Sequence, residues 1–258
     1  MKKSLLLGAV CFFLFACYNP KPKNLLDQAR AKGELVIAVE GVWEPWNYHD
    51  AQNQLVGFDV DVAKEMCKRL GVKAKFIEID WERILNCLEK HECDIVVNGV
   101  EITSARKERF YFSTPYACEK AVVIVRKDNN EINSFNDLAG RTSANAFNST
   151  YDDLARKYGA IPITVDTFDE TISLLMQNRI DSTINSIMTF NNYMKSNSGA
   201  PLKAVAASEE VSKIAIPCRK SSENLTLLME MNNALEAMHQ DGTIREISMK
   251  YFGQDVSK

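Results

Sequence analysis

The sequence predicts an α/β fold in two units, each a mixed, mostly parallel sheet flanked by helices. Three observations carry this expectation. Short β-branched runs alternate with helical repeats along the chain from residue 35 onward. A polar stretch with turn formers, Arg126-Lys127-Asp128-Asn129-Asn130, separates two such series. The 258 residues, less an amino-terminal leader, leave about 235, enough for one large α/β domain or two lobes of roughly 100 residues each.

The leader is set aside first. Met1-Lys2-Lys3 is basic, and residues 5–15 form an almost wholly apolar run of 11 residues. Such a run is too short to span a bilayer as a mature helix and has the build of a signal peptide. It ends as Leu14-Phe15-Ala16-Cys17, which resembles a bacterial lipobox, although Phe15 is bulkier than usual there. On this reading residues 1–16 are the signal peptide and Cys17 is the lipidated first residue. Residues 17–24, polar and Pro-rich, are then a tether. An ordinary secretory signal is the alternative. Cys11 is a poorer anchor, because Val10 precedes it and almost no apolar run would remain.

Leu35-Val36-Ile37-Ala38-Val39 is the first strand. Residues 59–70 place Val60, Val62, Ala63, Met66, Cys67 and Leu70 at helical spacing, and Gly71 closes the helix. Residues 75–79 alternate as a strand, and 81–90 read as a helix with Ile84, Leu85 and Leu88 inward. Residues 94–97 and 121–125 are apolar strands. In the second series, 143–147 is a weak strand and Asn148-Ser149-Thr150 starts a helix over 151–158. A strand at 161–165, a helix at 169–177, and strands at 182–184 and 203–206 follow. Residues 214–216 read as a strand closed by Pro217, before amphipathic helices at 225–239 and 244–251.

Composition excludes several classes of function. A net charge of −3 with both signs interspersed argues against nucleic acid as a partner. Five cysteines follow Cys17, namely Cys67, Cys87, Cys93, Cys118 and Cys218, with no CxxC and only His49, His91 and His239 to join them. That argues against a metal site, and no cofactor is implied. An odd count leaves at least one cysteine unpaired within the chain, and export permits disulfides without proving one. Nothing repeats at solenoid periods, and no mature segment is apolar enough to span a bilayer.

The chemistry concentrates in VNGVEITSARKERFYFSTPY, residues 97–116. Past a buried strand sit a turn-forming Asn98-Gly99, an acid at Glu101 and a base at Arg106. Open α/β sheets place ligands at this carboxyl end of their strands. Spacing alone leaves two readings: a surface ion pair, or two halves of a site for something that carries both charges.

Several stretches line up with one family. They are Trp43-Glu44-Pro45-Trp46, Gly57-Phe58-Asp59-Val60-Asp61, Ile102-Thr103 with Arg106, Phe112-Ser113-Thr114-Pro115-Tyr116, and Asp241-Gly242 through Tyr251-Phe252-Gly253. Over nearly all the mature chain the sequence resembles the periplasmic solute-binding proteins for polar amino acids that feed ABC importers. The resemblance implies the type II periplasmic-binding-protein-like fold, two α/β lobes that close on a ligand. Lobe 1 would be 25–115 plus 213–258, lobe 2 would be 121–207, and hinge strands would lie at 116–120 and 208–212. It implies a monomer that binds a free amino acid and delivers it to an ABC permease and ATPase. It would be lipid-anchored to a bacterial membrane, facing the periplasm or the exterior. A sensory lipoprotein on the same lobes, or a dehydratase-like enzyme on this fold, are the rival readings.

The same resemblance assigns residues. Arg106, in the family's T-x-x-R motif, would hold the ligand α-carboxylate, which a planar guanidinium matches bidentately. Glu101 is a departure, since the family usually has Thr or Ser there. A second departure is Ser186, five residues after the Asp of a "G-R-x-D" motif seen here as Arg179-Ile180-Asp181, where the family usually has Asp. A buried ammonium needs an anionic partner, so Glu101 would supply it from lobe 1 while Ser186 keeps a hydrogen bond. Trp43 and Trp81 would cover the ligand, and Trp46 would belong to the core behind the Pro turn. Asn148 and Ser149 open a helix whose amino end would face the ligand carboxylate, with plain N-capping as the alternative. Asn98 beside Gly99, together with Asn185, resembles the branch that binds cystine. Arginine or lysine would want further carboxylates, and none beyond Glu101 can be nominated.

Overall fold

In this computed structural model residues 23–257 are described, so the readings on the signal peptide, on Cys17 and on 17–22 of the tether lie outside the described residues. Helix α1 (Leu25–Lys32) is capped by Asn24, whose side chain accepts from the Asp27 N–H, and buries Leu25, Leu26 and Ala29. Strand β1 (Glu34–Val39) follows, then a small antiparallel sheet of β2 (Val42–Trp43), β3 (Asn47–His49) and β4 (Leu55–Val56). Helix α2 (Phe58–Leu70) buries eight of its residues, among them the six that the helical spacing predicts. Strand β5 (Lys73–Glu78), α3 (Trp81–Ile84), α4 (Asn86–Glu89), β6 (Ile95–Val96), α5 (Ser104–Arg109) and β7 (Phe110–Phe112) complete this passage.

The chain then crosses through β8 (Ala117–Glu119) into a second lobe. It comprises β9 (Ala121–Arg126), β10 (Thr142–Ala146), α6 (Thr150–Lys157), β11 (Ile161–Val165), α7 (Phe168–Met176), β12 (Thr183–Ser186), α8 (Ile187–Ser196) and β13 (Leu202–Ala207). It returns through β14 (Ser212–Ile214) to β15 (Pro217–Arg219), α9 (Leu225–Gln240) and α10 (Thr243–Phe252).

The first sheet has the order β5-β1-β6-β15-β7. β1 runs parallel to β5 and β6, whereas β15 is antiparallel to β6 and β7. In the second lobe β10 and β11 are parallel, while β9 lies antiparallel between β12 and β13. A two-stranded ladder of β8 and β14 joins the lobes, with Ser212 opposite Glu119. Among the described residues each lobe holds two apolar clusters, in lobe 1 around Leu35, Met66 and Met231 and around Ile84, Leu88 and Phe110, in lobe 2 around Ile124 and Leu175 and around Val123 and Ile184.

Three details depart from the sequence reading. The helix expected over 81–90 breaks at Leu85 into α3 and α4, and the chain then reverses at His91, whose φ is 58°. A Cys87–Cys93 disulfide closes that reversal, leaving Cys67 and Cys218 buried as thiols and Cys118 partly exposed. Pro217 opens a strand instead of closing one. As the first residue of β15 it loses little by lacking an N–H. Helix α8 falls where the sequence pattern predicts no element, because Asn191 and Asn192 interrupt its apolar stripe, yet Met188, Thr189 and Phe190 are buried and Ser186 caps it.

The motif residues outside the cleft are fasteners. Asp59 is fully buried, and its carboxylate accepts from the Tyr116 hydroxyl at 2.6 Å and from Asn47 Nδ2 at 3.0 Å. Burial pushes its pKa up to about 7, against the pull of these hydrogen bonds. Asp61 meets Lys250 at 2.6 Å and the Tyr251 hydroxyl at 2.8 Å. The GFDVD, FSTPY and YFG pieces thus interlock within lobe 1. Gly57 belongs to the same joint, because a Cβ there would stand 2.3 Å from the Trp46 carbonyl oxygen.

Candidate functional site

A cleft lies between the lobes. Lobe 1 supplies its charges and large rings. Thr103 caps α5, its hydroxyl accepting from the Arg106 N–H at 3.2 Å, which explains the T-x-x-R spacing as cap and third helical residue. Arg106 is thereby turned into the cleft. Its Nη1 donates to the Glu101 carbonyl oxygen at 3.0 Å, and its Nη2 reaches the Asn148 carbonyl oxygen at 3.5 Å across the lobes. Its guanidinium lies 5.4 Å from the Trp81 ring centroid. Burial lowers its pKa, while the nearby acids Glu101 and Asp153 oppose the shift. An arginine remains cationic through such a change.

Glu101 does not pair with it. The Glu101 backbone bridges to Ile214, and its Oε1 accepts from Ser212 Oγ at 2.6 Å, toward the ladder that joins the lobes. Trp43 stacks on Trp46, with centroids 5.2 Å apart and planes 20° from parallel. Trp46 itself is fully buried against Phe58 and Phe252. Gly99 makes room for the Trp43 ring, since a Cβ there would fall 2.5 Å from it, and its φ of 55° suits glycine.

The structure places the remaining candidates as follows. Trp43, Trp81, Gly99, Glu101 and Arg106 line the cleft from lobe 1, and Ser149 and Asn185 line it from lobe 2. Ser149 also caps α6, accepting from the Asp152 N–H at 3.1 Å. Asn98, Asn148 and Ser186 are not among the lining residues. Asn98 is buried and holds Glu40, accepting from its N–H at 2.7 Å and donating to its carboxylate at 3.4 Å. Asn148 takes a φ of 58° at the turn into α6, a conformation Asn tolerates. Ser186 is buried at the start of α8, where its hydroxyl accepts from the Met188 N–H.

The expectation that no carboxylate beyond Glu101 can be nominated is overturned. Glu40, Glu119 and Asp166 also line the cleft. Glu40 is pushed up to about 7 by burial, with Asp80 and Asp166 adding to the rise and Asn98 opposing it. Glu40 directly follows β1, so an acid at the carboxyl end of a buried strand was a readable signal. Glu119, by contrast, sits in a crossing strand three residues past the FSTPY motif, which does not reveal which way its side chain faces. Burial pushes it up to about 7, while the hydroxyls of Ser186 and Tyr151 pull the other way. Among the described residues no group of three or more His, Cys, Asp or Glu side chains is placed to hold a metal ion. Nor is any helix among them long and apolar enough to cross a membrane.

Comparison with known proteins places this geometry. A sequence profile of the bacterial extracellular solute-binding proteins, family 3, matches residues 35–254. The chain is 36% identical over 241 residues to the L-cystine-binding protein TcyA of Bacillus subtilis, covering 93% of this chain and 89% of that one. An ancestral arginine-binding protein bound to arginine superposes with a TM-score of 0.81 at 33% identity, covering 86% of this chain and 99% of the other. The L-cystine solute receptor of Neisseria gonorrhoeae, in its unliganded open conformation, superposes with a TM-score of 0.62 at 29% identity, over 90% and 98% of the two chains. The fold is the two-lobed, type II periplasmic-binding-protein architecture, and the chain belongs to the bacterial extracellular solute-binding proteins of family 3.

Proposed function

We propose that the cleft binds a free polar amino acid bearing a second, distal cationic group, with cystine the leading ligand, and delivers it to an ABC permease and its ATPase. One observation carries this reading. Arg106 and the acids Glu101 and Glu119 face one cleft, yet among the described residues no ion pair joins them. Charges of opposite sign held apart around a cavity suit a zwitterion, with Arg106 on the carboxylate and the acids on the ammonium. Trp43 and Trp81 cover the ligand body, and the amino end of α6 at Ser149 favours its carboxylate. The far wall, with Glu40 and Asp166, suits a distal cation.

The second ammonium of cystine and the side chains of arginine and lysine all satisfy that wall. Similarity to TcyA supports cystine first. The protein acts as a monomer, anchored to a bacterial membrane through lipid on Cys17. Its lobes move about the crossings at 116–120 and 208–212, which contain β8 and the start of β14. The higher superposition on an arginine-bound relative than on an open one supports reading this conformation as closed.

Calorimetric titration with the twenty amino acids and L-cystine tests the reading. Saturable binding is expected from cystine and from cationic amino acids. Binding confined to neutral aliphatic amino acids, or absent throughout, would overturn it. Small-angle scattering should show compaction when ligand is added, and an unchanged radius of gyration at saturation would remove the hinge assignment.

A further inference from the structure

We propose that Glu119 is the acid that receives the ammonium group of the ligand, through its Oε2 oxygen, and that binding displaces a proton from it. This rests on the amino-acid reading above and names the residue that reads the ammonium.

The geometry separates the two acids at this end of the cleft. Glu101 has Oε1 committed to Ser212 Oγ at 2.6 Å and is half-buried. Glu119 is only 5% exposed, yet it lines the cleft. Its Oε1 accepts from the Tyr151 hydroxyl at 2.7 Å, while Oε2 is buried without a hydrogen-bond partner. A buried polar atom in that position is costly unless something arrives to pair with it.

Among the described residues no cation does so. The charged groups that act on Glu119 are Glu101, from the loop after β6, and Asp59, from α2, both of them acids. Tyr151 from α6, Ser186 from β12 and Tyr116 present hydroxyls, not positive charge. Across the ladder, β14 sets Ser212 opposite Glu119 and Lys213 opposite Cys118. Alternation along a strand therefore turns Lys213, and likewise the exposed Lys120, to the other face. Glu119 is a carboxyl group in a low-dielectric wall of the cleft, with acids around it and one buried oxygen left without a partner.

Such a group holds its proton near neutrality in the absence of ligand, and its pKa of about 7 agrees with the geometry. An ammonium placed against Oε2 reverses the preference, because the opposite charge now favours the carboxylate. The step balances simply. The Glu119 carboxyl O–H bond breaks, its proton passes to solvent, and the carboxylate pairs with the incoming ammonium. Proton and ligand then compete, so affinity rises with pH up to about 7 and levels off above it.

The experiment uses the full chain with L-cystine and L-arginine as probes. Calorimetry in two buffers of different ionisation enthalpy counts protons released between pH 6 and 8, and titrations from pH 5.5 to 7.5 record affinity. Wild type is expected to release a measurable fraction of a proton at pH 6.5 and to bind about tenfold more tightly at pH 7 than at pH 5.5. The variant E119Q keeps the side-chain shape and should bind roughly 10–100-fold more weakly, with both the proton release and the pH dependence lost. E101Q should weaken binding while keeping the proton release. If E119Q binds as wild type does, or if the proton release disappears with E101Q instead, the assignment is wrong. Should E119Q fail to fold, the wild-type proton count decides, and a count of zero across the range overturns the proposal. Failure of every amino acid to bind wild type would instead remove the amino-acid reading, and this proposal with it.

Discussion

The two walls of the cleft are chemically unlike. Lobe 1 presents a guanidinium, two tryptophans and two carboxylates, in Arg106, Trp43, Trp81, Glu101 and Glu40. Lobe 2 answers mostly with hydroxyls and amides, in Asn145, Ser149, Thr167, Thr171 and Asn185, with Asp166 as its acid. The supports differ in the same way. Behind the lobe 1 wall, carboxylates of α2 act as fasteners, the buried Asp59 to Tyr116 and the partly exposed Asp61 to Lys250 of α10. Behind the lobe 2 wall, Asn145 donates to the Ile184 carbonyl oxygen at 2.7 Å and Thr183 to that of Ala144 at 2.7 Å. Charge-assisted contacts are roughly twice as strong as neutral ones. On the proposed function, lobe 1 would therefore be the half that recognises, and lobe 2 the half that closes over what lobe 1 holds.

The largest test of that asymmetry is Arg106→Ala. Removing one partner of a desolvated charge pair costs on the order of 2–5 kcal/mol of binding, because the other charge is left without an answer. The short helix keeps its Thr103 cap, so circular dichroism and the unfolding midpoint should stay near wild type. A folded Arg106→Ala protein with wild-type affinity would place recognition elsewhere and dissolve the contrast between the walls.

How much of this the sequence carries also differs between the lobes. Lobe 1 is legible because its apolar periods are long and its motifs sit at strand ends: α2 buries the residues its spacing predicts, and Arg106 follows a cap three residues earlier. Trp46 could be assigned to the core on the strength of the neighbouring proline turn, and it is fully buried. The less legible parts depend on distant chain segments. Glu119 becomes a cleft residue only because β14 and α6 pack around β8, and nothing near it in sequence encodes that. Helix α8 hides its period behind two asparagines, one of which, Asn192, donates to Glu44 of the other lobe at 3.1 Å. For Glu101 and Arg106 spacing alone leaves an ion pair and a divided site equally open; here the guanidinium takes the backbone oxygen of Glu101 while the Glu101 carboxylate turns to Ser212.

A middle-sized effect tests the supports rather than the cleft. In Tyr116→Phe the buried Asp59 loses its hydroxyl donor, at a cost of about 1–3 kcal/mol. The sign of its pH dependence follows from the raised pKa of about 7. A group raised on folding contributes stability that is complete below its unfolded pKa and is lost as pH rises through the folded value. Tyr116 opposes that loss, because its hydrogen bond favours the charged carboxylate. Denaturant unfolding should therefore show a larger deficit for Tyr116→Phe at pH 8 than at pH 5. Equal deficits at both pH values would mean that Asp59 does not titrate between them.

The smallest expected effect lies in lobe 2, at Ser149, where capping and ligand contact are superposed. Its hydroxyl accepts from the Asp152 N–H and also faces the cleft. Alanine removes both functions, and the lost cap alone costs about 1 kcal/mol of stability. Glycine removes the same hydroxyl but is itself a tolerated N-cap, so its stability cost is only a few tenths of a kcal/mol. Comparing the two variants separates the roles without a double mutant. If the hydroxyl touches the ligand, Ser149→Ala and Ser149→Gly should lose similar affinity, about 1 kcal/mol, the worth of one neutral hydrogen bond. Should affinity instead follow stability, with glycine near wild type and alanine weakened, Ser149 only shapes the end of α6. In that case lobe 2 contributes closure through its backbone, and the difference between the two walls is wider than their side chains suggest.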